Sequence, residues 1–223
     1  MTSARLSSAE IARRVALDIP DGSYVNLGIG LPTLVANAVP PDREIIYHSE
    51  NGILGIGPAP QPGEGDPELI NAGKQYVTLL PGGCYVHHTD SFAIIRGGHL
   101  DVTVMGAFQV SASGDLANWA TDDDALPPAV GGAMDLAVGA ARVLVMMRHT
   151  TRDGRPKLLE RCTYPLTASG VVGRVYTDLA VLDVTDEGFL VREMVPGLTR
   201  SELAAMTGAR LRFAADNAVL QVD

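Results

Sequence analysis

Short, nearly continuous apolar segments, bounded by glycine, proline or charged residues, constrain the fold of this chain most. Residues 102–105, 142–147 and 179–184 show this pattern, which is typical of strands buried on both faces of a parallel sheet, and 75–80 is predicted to be another. Helical segments alternate with the strands, which favours an α/β fold with an open, largely parallel sheet flanked by helices. No repeat or linker interrupts this order, so residues 1–223 are predicted to form a single domain.

Residues typical of helix ends and turns predict the bounds of the remaining helices and strands. Ser7, followed by Glu10 three residues later, is a capping box that predicts the first helix. Thr199 or Ser201 is expected to cap a last helix that runs through Met206 and is closed by Gly208. Further predictions are strands at 24–27 and 44–47, a helix at 33–39 with proline in its first turn, a long functional loop at 51–73 and a hairpin turn at 186–188.

Charge and composition exclude several classes of protein. The net charge is −9 and the basic residues do not cluster, which argues against binding to nucleic acid. The longest apolar run, about 136–147, is interrupted by Arg142 and is too short to span a membrane, and no signal peptide is visible at the start. Two cysteines are too few for a disulfide framework, so a soluble protein of the cytoplasm is expected.

Several polar motifs have simple structural interpretations. Gly28 and Gly30 follow the first strand as in a dinucleotide-binding turn, but Thr33 occupies the place of the third glycine; backbone binding of an anionic ligand there stays open. Adjacent histidines on a strand would point to opposite faces, which argues against a metal site at 87–90. The segments 111–115 and 122–124 are interpreted as a polar turn and a solvated acidic turn.

The segment 48–58, His-Ser-Glu-Asn-Gly-Ile-Leu-Gly-Ile-Gly-Pro, is the most informative part of the chain. Glu50 lies at the end of a predicted buried strand, where open α/β sheets bind their ligands. The three glycines that follow would allow the backbone to approach a substrate closely. From these residues alone, a structural carboxylate that caps a turn and a catalytic carboxylate are equally compatible with the pattern.

This segment resembles the active-site motif of the family I coenzyme A transferases, and the resemblance extends over nearly the whole chain, to the smaller, β-type subunit. Six further blocks follow the family pattern in the same order: 25–30, 71–74, 96–99, 106–110, 131–136 and 177–181. The resemblance implies the coenzyme A transferase fold, which is similar to that of sugar isomerases. It further implies no metal and no permanently bound cofactor, with coenzyme A acting as substrate and as covalent intermediate.

The resemblance also implies roles for individual residues. Glu50 would be the nucleophile, and the backbone of Gly131 and Gly132 would supply donors to the oxyanion. Contacts with coenzyme A would come from Asn26, Gly28, Gly30, Asn51, Gly52 and Lys74. Hydrogen bonding at the end of a strand is the alternative interpretation for Asn26, and a surface amine is the alternative for Lys74.

A partner and a reaction follow from the same resemblance. The chain would need an α-type subunit, in an α2β2 assembly, and would act on acyl-CoA and carboxylic acids. Exchange between succinyl-CoA and a 3-oxoacid is expected, with acetoacetate slightly favoured over 3-oxoadipate, and with acetate or butyrate still open. A ligand-sensing domain without catalysis and a coenzyme A hydrolase remain as alternatives from other classes, because a fold alone does not fix a function.

Overall fold

A ten-stranded mixed sheet forms the centre of the protein in the computed structural model, which describes residues 5–40, 42–121 and 129–220. The strand order is β13-β12-β11-β10-β8-β5-β1-β2-β3-β4, and a second sheet has the order β7-β6-β9. The strands are β1 (Tyr24–Leu27), β2 (Ile46–Ser49), β3 (Ile53–Ile56), β4 (Leu79–Tyr85), β5 (Val102–Met105), β6 (Gln109–Ser111), β7 (Leu116–Ala117), β8 (Arg142–Met146), β9 (Leu158–Leu159), β10 (Val172–Tyr176), β11 (Ala180–Thr185), β12 (Gly188–Met194) and β13 (Leu211–Val219).

Four α-helices and a 3₁₀ helix flank the sheets: α1 (Ser8–Leu17), the 3₁₀ helix (Leu31–Asn37), α2 (His88–Arg96), α3 (Ala133–Gly139) and α4 (Arg200–Ala205). The capping box of Ser7 and Glu10 is present at α1, as predicted, and Thr199 rather than Ser201 caps α4 with Glu202 as its partner. Helix α4 ends at Ala205, and Gly208 instead forms a bridge with Leu159. Within the described ranges, no helix combines the length and apolar character needed to cross a bilayer.

The five central strands, β10, β8, β5, β1 and β2, run parallel, which confirms the predicted fold class. Residues of β5 and β8 are almost entirely buried, as expected for strands covered on both faces. Because the strands are parallel, the carboxyl ends of β2, β1, β5 and β8 lie side by side along one edge of the sheet. Loops that leave this edge therefore meet across four neighbouring strands.

Antiparallel pairs lie on both sides of the parallel strands, in β10-β11-β12 and in β2-β3-β4, while β13 pairs in parallel with β12 at the outer edge. Two predictions for the β2-β3-β4 side were wrong. Residues 53–56 of the expected loop form β3, which pairs with β2 and β4, and β4 lies at 79–85 and is largely exposed rather than a buried strand at 75–80. The glycines that indicated a loop permit close pairing, since a Cβ on Gly55 would lie 2.8 Å from Gly83 Cα. Pro81 is tolerated because β4 is an edge strand.

Three further predictions differ from the structure in their boundaries or type. Strand β2 begins at Ile46 rather than at residue 44, because the Glu44 amide donates to Asp21 Oδ1 at 2.7 Å and its carbonyl accepts from Gly22 at 2.7 Å. The helix expected at 33–39 is the 3₁₀ helix. The histidines expected on a strand begin α2 instead, where His87 is the N-cap. The hairpin turn at 186–188 is confirmed, and the acidic segment 122–124 lies outside the described residues.

A partly buried ion-pair network joins α1 to β10. Asp18 Oδ2 accepts from Arg174 and from the Tyr176 hydroxyl, both at 2.6 Å, and Asp18 Oδ1 lies 2.9 Å from Arg14. Burial by itself would raise the pKa of Asp18, but the hydrogen bonds from Tyr176, Arg14 and Arg174 hold it below its usual value. The network fixes the helix on the sheet beside an apolar face that includes Ile11 and Val15.

Candidate active site

Glu50 is the first residue after β2, at the carboxyl edge of the parallel strands. A tight turn follows, in which the Gly52 amide donates to the Ser49 carbonyl at 2.9 Å. Gly52 has a φ of 110°, and a Cβ there would collide with the Val86 carbonyl, so only glycine fits this position. The turn holds Glu50 half-buried at the tip of its strand, as its place in the sequence predicts.

The carboxyl group of Glu50 has no polar partner in the described part of the chain. Among the residues that the structure describes, none forms a hydrogen bond or an ion pair with it. Burial, together with the charge of Asp135, raises the pKa of Glu50, and His88 opposes the shift. A carboxylate of this kind is poorly solvated and therefore more reactive toward an electrophile than a fully hydrated one.

Gly132 packs directly against this carboxyl group. It is the N-cap of α3, and a Cβ built on it would collide with Glu50 Oε2 and lie 3.1 Å from Phe92 Cζ. The preceding Gly131 has a φ of 53°, which brings the loop to the carboxyl end of β2 in a conformation that favours glycine. The two glycines therefore place backbone, rather than side chain, beside Glu50.

A buried hydrogen-bond chain lies beneath Glu50. Asn26 Nδ2 donates to the His48 carbonyl at 3.2 Å and also lies 3.2 Å from His48 Nδ1. Because an amide nitrogen can only donate, Nδ1 is assigned as the acceptor and the ring proton is placed on Nε2. Nε2 in turn lies 2.8 Å from Ser91 Oγ. Burial lowers the pKa of His48 to about 4, which keeps the ring neutral at pH 7. Asn26 Oδ1 is buried and has no hydrogen-bond partner in the described part of the chain, so it is an acceptor available to a ligand.

A cavity of about 510 Å³ lies over the carboxyl ends of β2, β1, β5 and β8. Five residues singled out from the sequence line it together: Asn26, Gly28, Glu50, Gly131 and Gly132. Its other walls are mainly apolar. Cavities of this size at this edge of an α/β sheet are typical ligand sites.

The other four residues singled out from the sequence do not line this cavity. Gly30 is the N-cap of the 3₁₀ helix, and Gly52 forms the turn described above. Asn51 Nδ2 donates to the Ile70 carbonyl at 2.8 Å. Lys74 is exposed, with a φ of 61°, in a turn near the end of the long loop. Their expected contacts with coenzyme A stay predictions.

Four polar or aromatic residues of the cavity wall were not predicted: Asn118, Trp119, Arg148 and Lys157. Lys157 Nζ donates to the Ala107 carbonyl at 2.8 Å, and burial lowers the pKa of this amine to about 8. No sequence signal links these residues to Glu50, because they lie about 70 to 110 positions further along the chain and reach the cavity only through the order of the strands.

No group of three or more His, Cys, Asp or Glu side chains in the described ranges is arranged to hold a metal ion. The polar turn predicted at 111–115 is present, and Asp115 Oδ2 accepts from the Ser111 and Ser113 hydroxyls at 2.8 and 3.0 Å. It lies outside the cavity.

Comparison with known proteins identifies the family. A profile described as Coenzyme A transferase matches residues 8–205. The chain is 58% identical over 207 residues to the B subunit of 3-oxoadipate CoA-transferase from Acinetobacter baylyi, a match that covers 93% of this chain and 95% of that protein. It is 50% identical over 200 residues to the human mitochondrial succinyl-CoA:3-ketoacid coenzyme A transferase 2, covering 89% of this chain but only 38% of that protein.

A solved structure with the same fold is an acyl-CoA transferase of Escherichia coli O157:H7, with a TM-score of 0.74 at 17% sequence identity. The match covers 97% of this chain and 43% of that one, so the chain spans less than half of the length of this structural relative. The expected coenzyme A transferase fold is therefore confirmed. The chain belongs to the coenzyme A transferase family and corresponds, over nearly its whole length, to members named as B subunits.

Proposed function

We propose that this protein is the B subunit of a 3-oxoacid CoA-transferase that moves coenzyme A between succinyl-CoA and 3-oxoadipate through a covalent intermediate on Glu50. The observation that carries the proposal is the Glu50 carboxyl group, half-buried at the carboxyl edge of the sheet, without a polar partner among the described residues and in contact with the Gly132 backbone. A carboxylate is ionised at neutral pH, so it needs no neighbouring base to become a nucleophile.

In the first half-reaction, a Glu50 carboxylate oxygen attacks the thioester carbonyl, the C–S bond breaks, and coenzyme A leaves as a thiolate. The thiolate then attacks the Glu50 carbonyl of the resulting mixed anhydride, which releases the free acid and forms a Glu50–CoA thioester. The second acid reverses both steps. Each tetrahedral intermediate carries an oxyanion, and backbone amides near Gly131 and Gly132 are our candidates for its hydrogen-bond donors. Each such donor typically stabilises the transition state by about 3 kcal/mol.

The choice of acid rests on similarity. Relatives named as B subunits of 3-oxoadipate CoA-transferase are 58–59% identical, whereas those named succinyl-CoA:3-ketoacid transferase are 46–50% identical. This difference favours 3-oxoadipate over acetoacetate, the acid that the sequence alone slightly favours. Acetoacetate remains the alternative substrate, and the acid specificity of the purified enzyme separates the two.

An α-type partner subunit is part of the proposal. Large apolar side chains are exposed at the mouth of the cavity and on the adjacent helix α3: Ile29 is 68% exposed, Phe108 40%, Met134 43% and Val138 72%. Exposed apolar groups clustered around a reactive site are typical of a surface that a partner covers. A partner that closes this mouth would also exclude water, which would otherwise hydrolyse the anhydride and the thioester.

Mass spectrometry of the protein with its co-purified partner tests the chemistry. After addition of succinyl-CoA, we expect a CoA-sized adduct on the Glu50 peptide that a carboxylic acid discharges. Glu50→Gln should remove the adduct and lower turnover by at least about 1,000-fold, while Glu64→Gln, an exposed carboxylate on the long loop, should leave both unchanged. A stable complex that binds coenzyme A but forms no adduct would overturn the covalent mechanism and favour a ligand sensor.

A further inference from the structure

Lys157 places a positive charge in the wall of the cavity that contains Glu50. It follows the turn after β8 and directly precedes β9. Its Nζ donates to the Ala107 carbonyl at 2.8 Å, and no acidic side chain in the described ranges lies within ion-pair distance of it. An ammonium group has three N–H donors, so two of them have no protein acceptor among the described residues.

The charged groups near Lys157 have hydrogen-bond partners of their own. Arg148, which also lines the cavity, donates to the Leu6 carbonyl at 2.8 Å and to Ser8 Oγ at 3.1 Å. Asp178, whose charge acts on Lys157, accepts from Arg5 and from the His149 amide. Burial lowers the pKa of Lys157 to about 8, and the charge of Asp178 offsets this only in part. A buried ammonium of this kind is stabilised by an anion that enters the cavity.

We infer that Lys157 binds the carboxylate at the far end of the acyl chain and makes the site selective for dicarboxylic acids over monocarboxylic acids. This inference rests on the proposed function, since it takes Glu50 as the group that receives the acyl carbon. It goes further by assigning the substrate class to a specific residue.

The shared cavity supports this assignment. Lys157 Nζ is bound to the carbonyl of Ala107, which follows β5, and Glu50 follows β2, with β1 between these two strands. Both residues line the same cavity, so a dicarboxylic acid can present one carboxyl group to each of them. Acetate has a single carboxyl group and cannot engage both.

The test uses the complex of the chain with its partner and measures how acids discharge the Glu50–CoA thioester, formed beforehand from succinyl-CoA and freed of the released succinate. Succinate and 3-oxoadipate are compared with acetate and butyrate. Lys157→Met should lower the second-order rate constant about 10- to 100-fold for the two dicarboxylic acids and less than about threefold for the monocarboxylic acids. Lys157→Arg, which keeps the charge, should recover most of the loss. Arg152→Met, an exposed charge in the same turn, is the matched control.

The possible outcomes separate the two proposals. Equal losses for both classes of acid in Lys157→Met, or no loss for the dicarboxylic acids, would overturn the role of Lys157 while the thioester still forms. Retained discharge by acetate shows at the same time that the variant is folded. If the wild-type complex forms no thioester, the proposed function fails, and the assignment of Lys157 fails with it.

Discussion

Replacement of Gly132 by alanine tests the contact on which the candidate site depends. The new Cβ would lie 3.0 Å from Glu50 Cδ and still closer to one carboxyl oxygen, whereas carbon atoms in contact normally stand about 3.5–4.0 Å apart. Phe92 Cζ, 3.1 Å from the same Cβ, limits how far the loop can retreat. The Glu50 carboxyl group must therefore move by about 1 Å, or the loop must open by a similar distance.

A displacement of about 1 Å at a reacting group lowers the rate about 100-fold, which corresponds to about 2.7 kcal/mol of transition-state stabilisation. The fold should change little. Gly132 has a φ of −79°, which alanine adopts without strain, and the loss of a glycine N-cap costs about 1 kcal/mol. For a chain of this size that cost lowers Tm by about 2–4 °C.

The measurements are kcat for coenzyme A transfer by the complex with its partner, the yield of the Glu50 adduct, and the thermal unfolding of the same preparation. Gly173→Ala is the matched control, because a Cβ at this position on β10 meets its nearest atom, the Val143 carbonyl oxygen, at 3.8 Å. Turnover of Gly132→Ala within about threefold of the wild type, in a folded complex, would refute the claim that Gly132 confines the nucleophile.

Two further predictions concern ionisation. Burial raises the pKa of Glu50, and the ionised form is the nucleophile in the proposed function. When kcat/KM is measured against pH, it should therefore fall at acidic pH with a midpoint above 4.5. A midpoint at or below 4.5 would contradict the desolvation of this carboxyl group. The folded-state pKa of Asp18 lies below its usual 3.8, so its contribution to stability is complete above that pH and is lost as the pH falls through the folded-state value. Urea unfolding should show Asp18→Asn about 1–3 kcal/mol less stable than the wild type at pH 7, with the difference shrinking as the pH falls below 3.8; a constant difference would assign the loss to packing.

Sequence signals that act locally predicted their elements well. The capping boxes at Ser7 and Thr199 depend on side chains three residues apart, and both are present in the structure. The central apolar strands at 102–105 and 142–146 are recognisable because burial on both faces requires apolar residues at every position. In each of these cases the residues that determine the element lie within the element or next to it.

Pairing between distant segments was not predictable in the same way. Strand β3 contains Gly55, and β4 contains Pro81 and two glycines, a composition that indicates loops when each segment is considered alone. The two segments form strands because they pair with each other, and the glycines allow the close approach. Local propensity therefore failed where a tertiary contact determines the backbone conformation.

The candidate site likewise contains residues that local sequence signals predicted and residues that they did not. Glu50 could be placed in the cavity because it ends a buried strand inside a short glycine-rich motif, and the family resemblance then favoured a catalytic role over a structural one. Lys157, 107 positions further along the chain, reaches the same cavity only because β8 and β5 lie next to β1 and β2 in the sheet. The order of parallel strands thus brings the Glu50 carboxyl group and the Lys157 amine to one cavity from unrelated parts of the sequence.

This separation has a consequence for specificity within the family. In the function proposed above, transfer requires Glu50 and the glycines against it, whereas the inferred choice of acid depends on Lys157 in another part of the cavity wall. A side chain in that part of the wall can change without disturbing the turn that holds Glu50, because the two are joined only through the sheet. Relatives named for different acids therefore can share the motif around Glu50, and the cavity wall after β5 and β8 is where their substrates should be distinguished.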